Sequence, residues 1–252
     1  AAGTPQHSAQ LIGLGQTSTP EAAAFINGTS GTFLEMDEGN RFSRGHPAVH
    51  VIPAALALSQ ERIVTAENFL AGMVVGYEVG SRLGAASQLR GAMHPHGTWG
   101  TLGAAAACGR VAGLDDNDMR QTINISASLT TATSKQTMLE GGLVRNVYAG
   151  LSNRNGLLAL NLAECGFNGE RDGPSSLLGK IISESFQTEA VTQGLGHDWH
   201  LMRNYFKLHS CCRYNHGTLD AIDQMAAAKK LPQVNDIERI EVVTYHLAAE
   251  LN

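Results

Sequence analysis

From Leu102 to Gly109 the chain runs Leu-Gly-Ala-Ala-Ala-Ala-Cys-Gly, a stretch built almost wholly of glycine and alanine. Such a segment has little side chain of its own to bury, so it contributes to a fold only where neighbouring backbones approach it closely. The whole chain shares the habit: it has 28 glycines, abundant alanine and only 6% aromatic residues. Close helix-to-helix contact between small residues is the packing mode this favours, and a mainly α protein is the fold class it predicts. With 43% hydrophobic and 16% charged residues over 252 positions, the chain can bury one large core or two small ones, which excludes a disordered tail.

The formal net charge is -5 and no basic stripe is present, so the electrostatic footprint of a nucleic-acid binder is missing. An anionic ligand must then be met by local cations. The longest apolar runs, at 49–58 and 102–108, are too short for a bilayer, and no secretory signal opens the chain. Cys108, Cys165, Cys211 and Cys212 form no CxxC pair and no even framework, so they read as reduced thiols in a cytoplasmic protein. The opening Ala-Ala-Gly-Thr-Pro resembles neither a start nor a tag, and the closing Leu-Ala-Ala-Glu-Leu-Asn follows directly on a strand-like segment. Both ends look cut from something longer.

Along the chain, capping residues and apolar periodicity predict helix after helix. Ser18-Thr19-Pro20-Glu21 starts a helix expected to reach about Gly28. Residues 47–59 are apolar almost all round, as in a buried helix, with Pro53 as a kink or second start. Helices are expected over 68–83, 101–112, 119–129 and 147–165, with Gly113 and Gly166 as stops. Residues 171–196 read as a long loop holding short helical turns, and 212–230 as an amphipathic helix. Ile237 to Tyr245 alternates apolar and polar like a half-buried strand. The division expected is a helical domain over 1–230 and the beginning of a smaller α/β unit over 231–252.

Four polar clusters sit at the ends of these helices. Glu35-Met36-Asp37-Glu38, followed by Arg44-Gly45-His46-Pro47 and His50, can supply an acid–base pair and an anion clamp; the plain alternative is a solvated, helix-capping loop. His94-Pro95-His96-Gly97-Thr98 leads straight into a helix. Backbone N–H groups and the Thr98 hydroxyl there could hold a carboxylate while His94 or His96 moves a proton, or the histidines could simply be satisfied by carbonyls. Arg145 at a helix start is misplaced for the macrodipole unless it meets an anion, or else it is a stacked surface arginine. Lys207 in Tyr205-Phe206-Lys207-Leu208 could bind a carboxylate or exchange a proton, or could snorkel from a core strand. His46 and His50 have a metal-like spacing, but Pro47 intervenes and no HExxH glutamate is present, so no metal site is assigned. There is no GxSxG elbow, P-loop or GxGxxG.

In order, Pro20 to Gly28, Gly45-His46-Pro47-Ala48 with Ile52-Pro53-Ala54-Ala55-Leu56-Ala57, Met93-His94-Pro95 with Gly97 to Ala106, Gly150 to Gly156, and Phe206-Lys207 to Asp220-Ala221 resemble the MmgE/PrpD family over nearly the whole chain. The resemblance implies a large all-helical N-terminal domain followed by a smaller α/β lid domain, a homodimer, and a site between the two. It also implies that a helical hairpin precedes Ala1 and that most of the lid follows Asn252. Family active-site positions fall on His46, His94 and Lys207. Two departures bear on the substrate: Glu35-Met36-Asp37-Glu38-Gly39 stands where the family has an aspartate-rich segment and often a threonine, and Arg145 stands where it has a lysine.

The expected activity is that of a metal- and cofactor-independent lyase, a 2-methylcitrate dehydratase-like enzyme acting on a small di- or tricarboxylate. Decarboxylation of a cis-aconitate type of substrate, or epimerisation, is the alternative on the same fold. Arg145, Lys207 and, more weakly, Arg44 would clamp carboxylates; His46 and His94 would move protons; Glu35 or Asp37 would orient an imidazole or act as base. The competing classes are a non-catalytic helical binding protein and a thiol hydrolase using Cys211 or Cys212. No nucleic-acid or membrane partner is expected.

Overall fold

The computed structural model describes residues 8–249. The opening pentapeptide and the last three residues, read above as ends of a longer protein, lie outside that range. Seven principal elements form the helical body: α1 (Pro20–Phe33), α2 (Pro47–Glu61), α3 (Ala66–Ala86), α4 (Trp99–Ala112), α5 (Asp116–Ser128), the short α6 (Lys135–Leu139) and α7 (Val147–Glu164). Smaller pieces follow: α8 (Gly173–Ser176), α9 (Thr188–Thr192) and α10 (His216–Ala227).

Start signals work as the sequence implies. The hydroxyls of Thr19 and Thr65 accept N–H bonds from Ala22 and Asn68, and Asp115 accepts from Asn117 and Asp118. Helix α4 ends at Gly113 in the left-handed conformation. It is the central element, packing against α2, α3, α5 and α7. Close approach is obligatory where it meets α3: a Cβ on Gly76 would lie 2.7 Å from the Gly103 carbonyl oxygen, and one on Gly103 2.8 Å from the Gly76 oxygen. The main core, with Val51, Leu58, Val111, Leu157 and Leu160, fills the space between α1, α2, α4 and α7; a second cluster around Trp99, Leu102 and Leu178 lies on the other side of α4.

Pro53 lies inside an unbroken α2 and does not start a second helix. A proline has no N–H to give the carbonyl four residues back, and the Asn153 side chain on α7 supplies the substitute. Its Nδ2 donates to Val49 O at 2.8 Å, and its Oδ1 accepts from Ala54 N at 2.9 Å.

Three two-residue to four-residue strand pairs tie the loops down. β1 (Ala9–Leu11) pairs antiparallel with β2 (Gln16–Ser18), β3 (Gly39–Asn40) with β6 (Asn204–Tyr205), and β4 (Ser87–Leu89) with β5 (Ser183–Phe186). The β3–β6 pair is the one that matters for the site, because its register sets Gly39 opposite Tyr205. A Cβ on Gly39 would lie 2.3 Å from the Tyr205 ring, so the glycine is what lets that ring lie over the strand. A buried ion pair holds the approach to β6: Arg82 Nε meets Glu78 Oε2 at 2.9 Å on α3, and the guanidinium also donates to the carbonyls of Val191, Gln193 and Asp198.

The expected strand at 237–245 does not form. Those residues are exposed and carry no regular structure; alternation stabilises a strand only when a neighbour takes its backbone hydrogen bonds, and no described strand pairs with this one. The expected helix at 212–230 narrows to a turn at Arg213–Asn215 and α10.

Replacing Asn153 by leucine, similar in shape, should cost about 3 kcal/mol, because the Val49 carbonyl and the Ala54 N–H would lose their buried partner at about 1–3 kcal/mol each. Urea denaturation would show a lower midpoint with an unchanged m-value; an unchanged midpoint would mean that Asn153 does not repair the proline break.

Candidate active site

The acidic loop 35–38 follows α1, and β3 follows the loop. Because β3 pairs with β6, the chain two residues beyond β6 returns to that same loop and places Lys207 on it. The Lys207 side chain is fully buried, with its Nζ 2.9 Å from Asp37 Oδ1 and 3.0 Å from Glu35 Oε2. Glu35 Oε1 in turn pairs with Arg145 Nη1, which arrives from the 3-10 turn Leu143–Asn146 ahead of α7. The result is an alternating chain of charges, Asp37, Lys207, Glu35, Arg145, assembled from three distant parts of the sequence. Asp37 Oδ2 also accepts the Thr32 hydroxyl at 3.2 Å. Glu35 itself holds a left-handed backbone, φ 55°, an unusual position for a side-chain-bearing residue.

His46 stands at the N-cap of α2. Its Nδ1 lies 2.5 Å from the Glu38 carbonyl oxygen and 3.7 Å from Asp37 Oδ2. Only a protonated Nδ1 can donate to a carbonyl, so the lone pair resides on Nε2. Glu38 works at the same corner: its carboxyl accepts the Ala48 N–H at 2.8 Å, and burial pushes it up to about 8. His94 has the opposite tautomer. Its Nδ1 accepts the His96 N–H at 3.1 Å, which leaves the ring proton on Nε2. The His94–His96 loop is held from both sides by Thr133, whose hydroxyl reaches the carbonyls of His94 and His96 and whose own carbonyl takes the His94 N–H.

Behind these two rings lie His96 and His50. The His96 ring makes edge contacts with His46, His50 and His94 at centroid distances of 5.1, 4.6 and 4.7 Å. Burial pushes His50 and His94 down to about 3 and His96 well below its ordinary value, and it lowers His46 too; neighbouring cations, Arg145 for His94 and Lys207 for His46, act in the same direction. All four are therefore neutral imidazoles near neutral pH. Asp37, His46 and His96 offer ligand atoms within 4.8 Å of one another, the one metal-like group among the described residues. The Lys207 ammonium already supplies a cation to Asp37.

An open cavity of about 1620 Å³ runs over this site, lined by Glu35, His46, His94, His96 and Arg145. Its wall carries six cations, Arg41, Arg44, Lys135, Arg145, Arg203 and Arg213, against two acids, Glu35 and Glu241. In a chain of net charge -5 that concentration is a local anion-attracting field.

The structure thus brings Glu35, Asp37, His46, His94, Arg145 and Lys207 together, and Arg44 to the rim. Glu35 bridges two cations instead of orienting an imidazole, and Lys207 lies behind Glu35, off the cavity wall. Thr98 is fully buried, and its hydroxyl donates to Pro95 O at 2.6 Å instead of facing the cavity; it shapes the loop. Sequence reasoning did not single out Thr133, Tyr148, whose ring lies 5.8 Å from that of His94, or Glu38 as the anchor of His46. An acid just ahead of a helix start was the available signal for Glu38. All four cysteines are free, and burial pushes the Cys211 thiol up, away from the thiolate that a nucleophile needs.

The helical body thus encloses neutral imidazoles and paired charges under a cavity lined by cations. Residues 1–176 match the MmgE/PrpD N-terminal domain, and the chain belongs to the MmgE/PrpD family. It is 28% identical over 239 residues to a cis-aconitate decarboxylase of Aspergillus terreus, an alignment covering 88% of this chain and 48% of the relative. It is 27% identical over 262 residues to the cis-aconitate decarboxylase-like protein oryM of Aspergillus oryzae, covering 94% and 54%. The chain spans about half the length of these relatives. No described helix is long and apolar enough to cross a membrane.

The buried titratable groups set a pH dependence of stability. The imidazoles, lowered in the fold from 6.5, must take up protons on unfolding in acid, so stability falls as pH drops below about 6.5. Glu38 is raised from 4.5 to about 8, so its contribution is lost as pH climbs from 4.5 to about 8. Thermal melts should therefore peak near pH 6.5, and Glu38→Gln should flatten the decline above that peak while steepening the rise between pH 4.5 and 6.5. A decline between pH 6.5 and 8 that persists in that variant would sink the assignment.

Proposed function

We propose that the site is that of a metal-independent lyase acting on a small di- or tricarboxylate. The observation that carries this reading is the pairing of opposite tautomers, a free Nε2 lone pair on His46 and an Nε2–H on His94, beside the Arg145–Glu35–Lys207 charge chain. In that reading His46 removes a proton next to a carboxylate, His94 donates to the leaving or developing oxygen, and Asp37 stabilises the imidazolium formed on His46. Arg145 and Lys207 clamp carboxylates, with Arg44 at the rim. A neutral imidazole suits the base role, since its lone pair is available near neutral pH.

Dehydration of a 2-hydroxy acid of the 2-methylcitrate kind and decarboxylation of a cis-aconitate kind draw on the same parts. The names of the fungal relatives favour decarboxylation; the tautomer pair, with a donor set for a departing hydroxyl, favours dehydration. A cytoplasmic homodimer, with the cavity closed by an α/β lid domain, belongs to the same proposal.

Full-length protein supplied with cis-aconitate, citrate or 2-methylcitrate in the presence of EDTA should release carbon dioxide or water, and mass spectrometry of the product tells the two apart. His94→Ala should lower kcat by about 10²–10⁴-fold, the usual worth of a positioned acid or base. Turnover that survives this substitution, or that vanishes with EDTA, contradicts the proposal.

A further inference from the structure

Six cations line the cavity, yet Arg145 among them, like Lys207 behind the wall, is already occupied. Arg145 and Lys207 are bridged by one carboxylate, with a different oxygen of Glu35 on each. The cations at the rim, Arg41, Arg44, Arg203 and Arg213, have no carboxylate within ion-pair distance among the described residues. Glu35 also differs from Asp37 in kind. Asp37 is buried, with a side-chain exposure of 1%, and is fixed by both Lys207 and Thr32. The Glu35 side chain is 26% exposed, forms part of the cavity wall, and among the described residues is bonded only to the two cations. Lys207 has a side-chain exposure of 0% and does not reach the wall.

A ligand in the cavity therefore cannot touch Lys207 while Glu35 is in place. We propose that Glu35 is an internal stand-in for a carboxylate of the ligand: it fills the subsite between Arg145 and Lys207, and a ligand carboxylate enters by exchanging with it. The inference rests on reading the cavity as a carboxylate site. In the exchange two ion pairs are broken and two of the same kind are formed, and Glu35, already at the wall, swings toward solvent and the unpaired rim arginines. Lys207 is left with Asp37 throughout, so its charge is never unpartnered.

The exchange lowers affinity by the fraction of molecules in which the subsite is open. If Glu35 fills it nine times in ten, removing the carboxylate tightens binding by about tenfold. The test uses tricarballylate, a saturated tricarboxylate with no hydroxyl to lose, titrated calorimetrically into the full-length protein. Glu35→Gln keeps the shape without the charge, and Glu35→Gly suits the φ of 55°, so at least one variant retains the fold, as circular dichroism would show. Glu241→Gln is the charge control: it removes another wall carboxylate, one that pairs with Arg239.

Both Glu35 variants should bind about tenfold more tightly than the unaltered protein, with Glu241→Gln changing affinity less than about twofold. Equal or weaker binding by the Glu35 variants, with Arg145→Met still abolishing it, overturns the stand-in while the carboxylate site survives. A gain in Glu241→Gln as large as in Glu35→Gln likewise overturns it, because general charge would then be the cause. Absence of binding in every form, Arg145→Met included, overturns both this inference and the carboxylate reading beneath it.

Discussion

Everything in this molecule is arranged around a helix with no solvent face. Twelve of the fourteen residues of α4 are buried, and α2, α3, α5 and α7 surround it. Only glycine and alanine let so many backbones converge on one rod, so the interior gains its stability from many shallow contacts at close range and few large side chains. The same crowding has a chemical consequence. The N-terminal end of α4 opens at Trp99, directly after the histidine loop, and α2 opens at His46 close by. Two helix starts held rigidly by the core thus fix two imidazoles, and a proton-transfer site requires positioning of that rigidity.

Buried charge is tolerated here by strict alternation. An isolated ammonium at the depth of Lys207 would be prohibitively costly, whereas one between two carboxylates is compensated on both sides. The neutral state of the four imidazoles follows first from burial, and Arg145, for three of them, and Lys207, for His46, push the same way. Glu38 is the complement, a carboxyl kept protonated into the neutral range beside acids that have been given cations. Three neighbouring carboxyls thus differ in role through their surroundings and not through their type.

What the sequence disclosed and what it hid divide along the range of the interactions involved. Caps at Thr19, Thr65 and Asp115 and the stop at Gly113 are local, and they place the helix starts and ends closely. The sequence pattern ends α1 at about Gly28, yet the helix continues to Phe33; a Cβ on Gly28 would lie 3.0 Å from Gly150 Cα, so this glycine serves a contact with α7 and not a stop. Pro53 looked like a break because its repair comes from Asn153, a hundred residues away. The residues of the site were legible as charged clusters, but their connectivity was not. Nothing in the local pattern of Glu35 says that it bridges Arg145 to Lys207, and the spacing of His46 and His50 hides that the His96 ring lies against both. The alternation at 237–245 was a real pattern with no described partner to pair with.

The β3–β6 pair, two residues long on each side, has a bearing on how the protein is made. It is what carries Lys207 back to an acidic loop lying 170 positions earlier. During synthesis the loop emerges long before its cation, so Asp37 and Glu35 must stay hydrated until residue 207 has left the ribosome. Most of the helical body can fold in that interval, since α1 to α7 are complete by Glu164. The charge chain is therefore completed only after the main helices are made, by a ribbon docking onto a preformed scaffold, and a chain stalled or cleaved before that point would keep the scaffold while leaving Glu35 and Asp37 without Lys207.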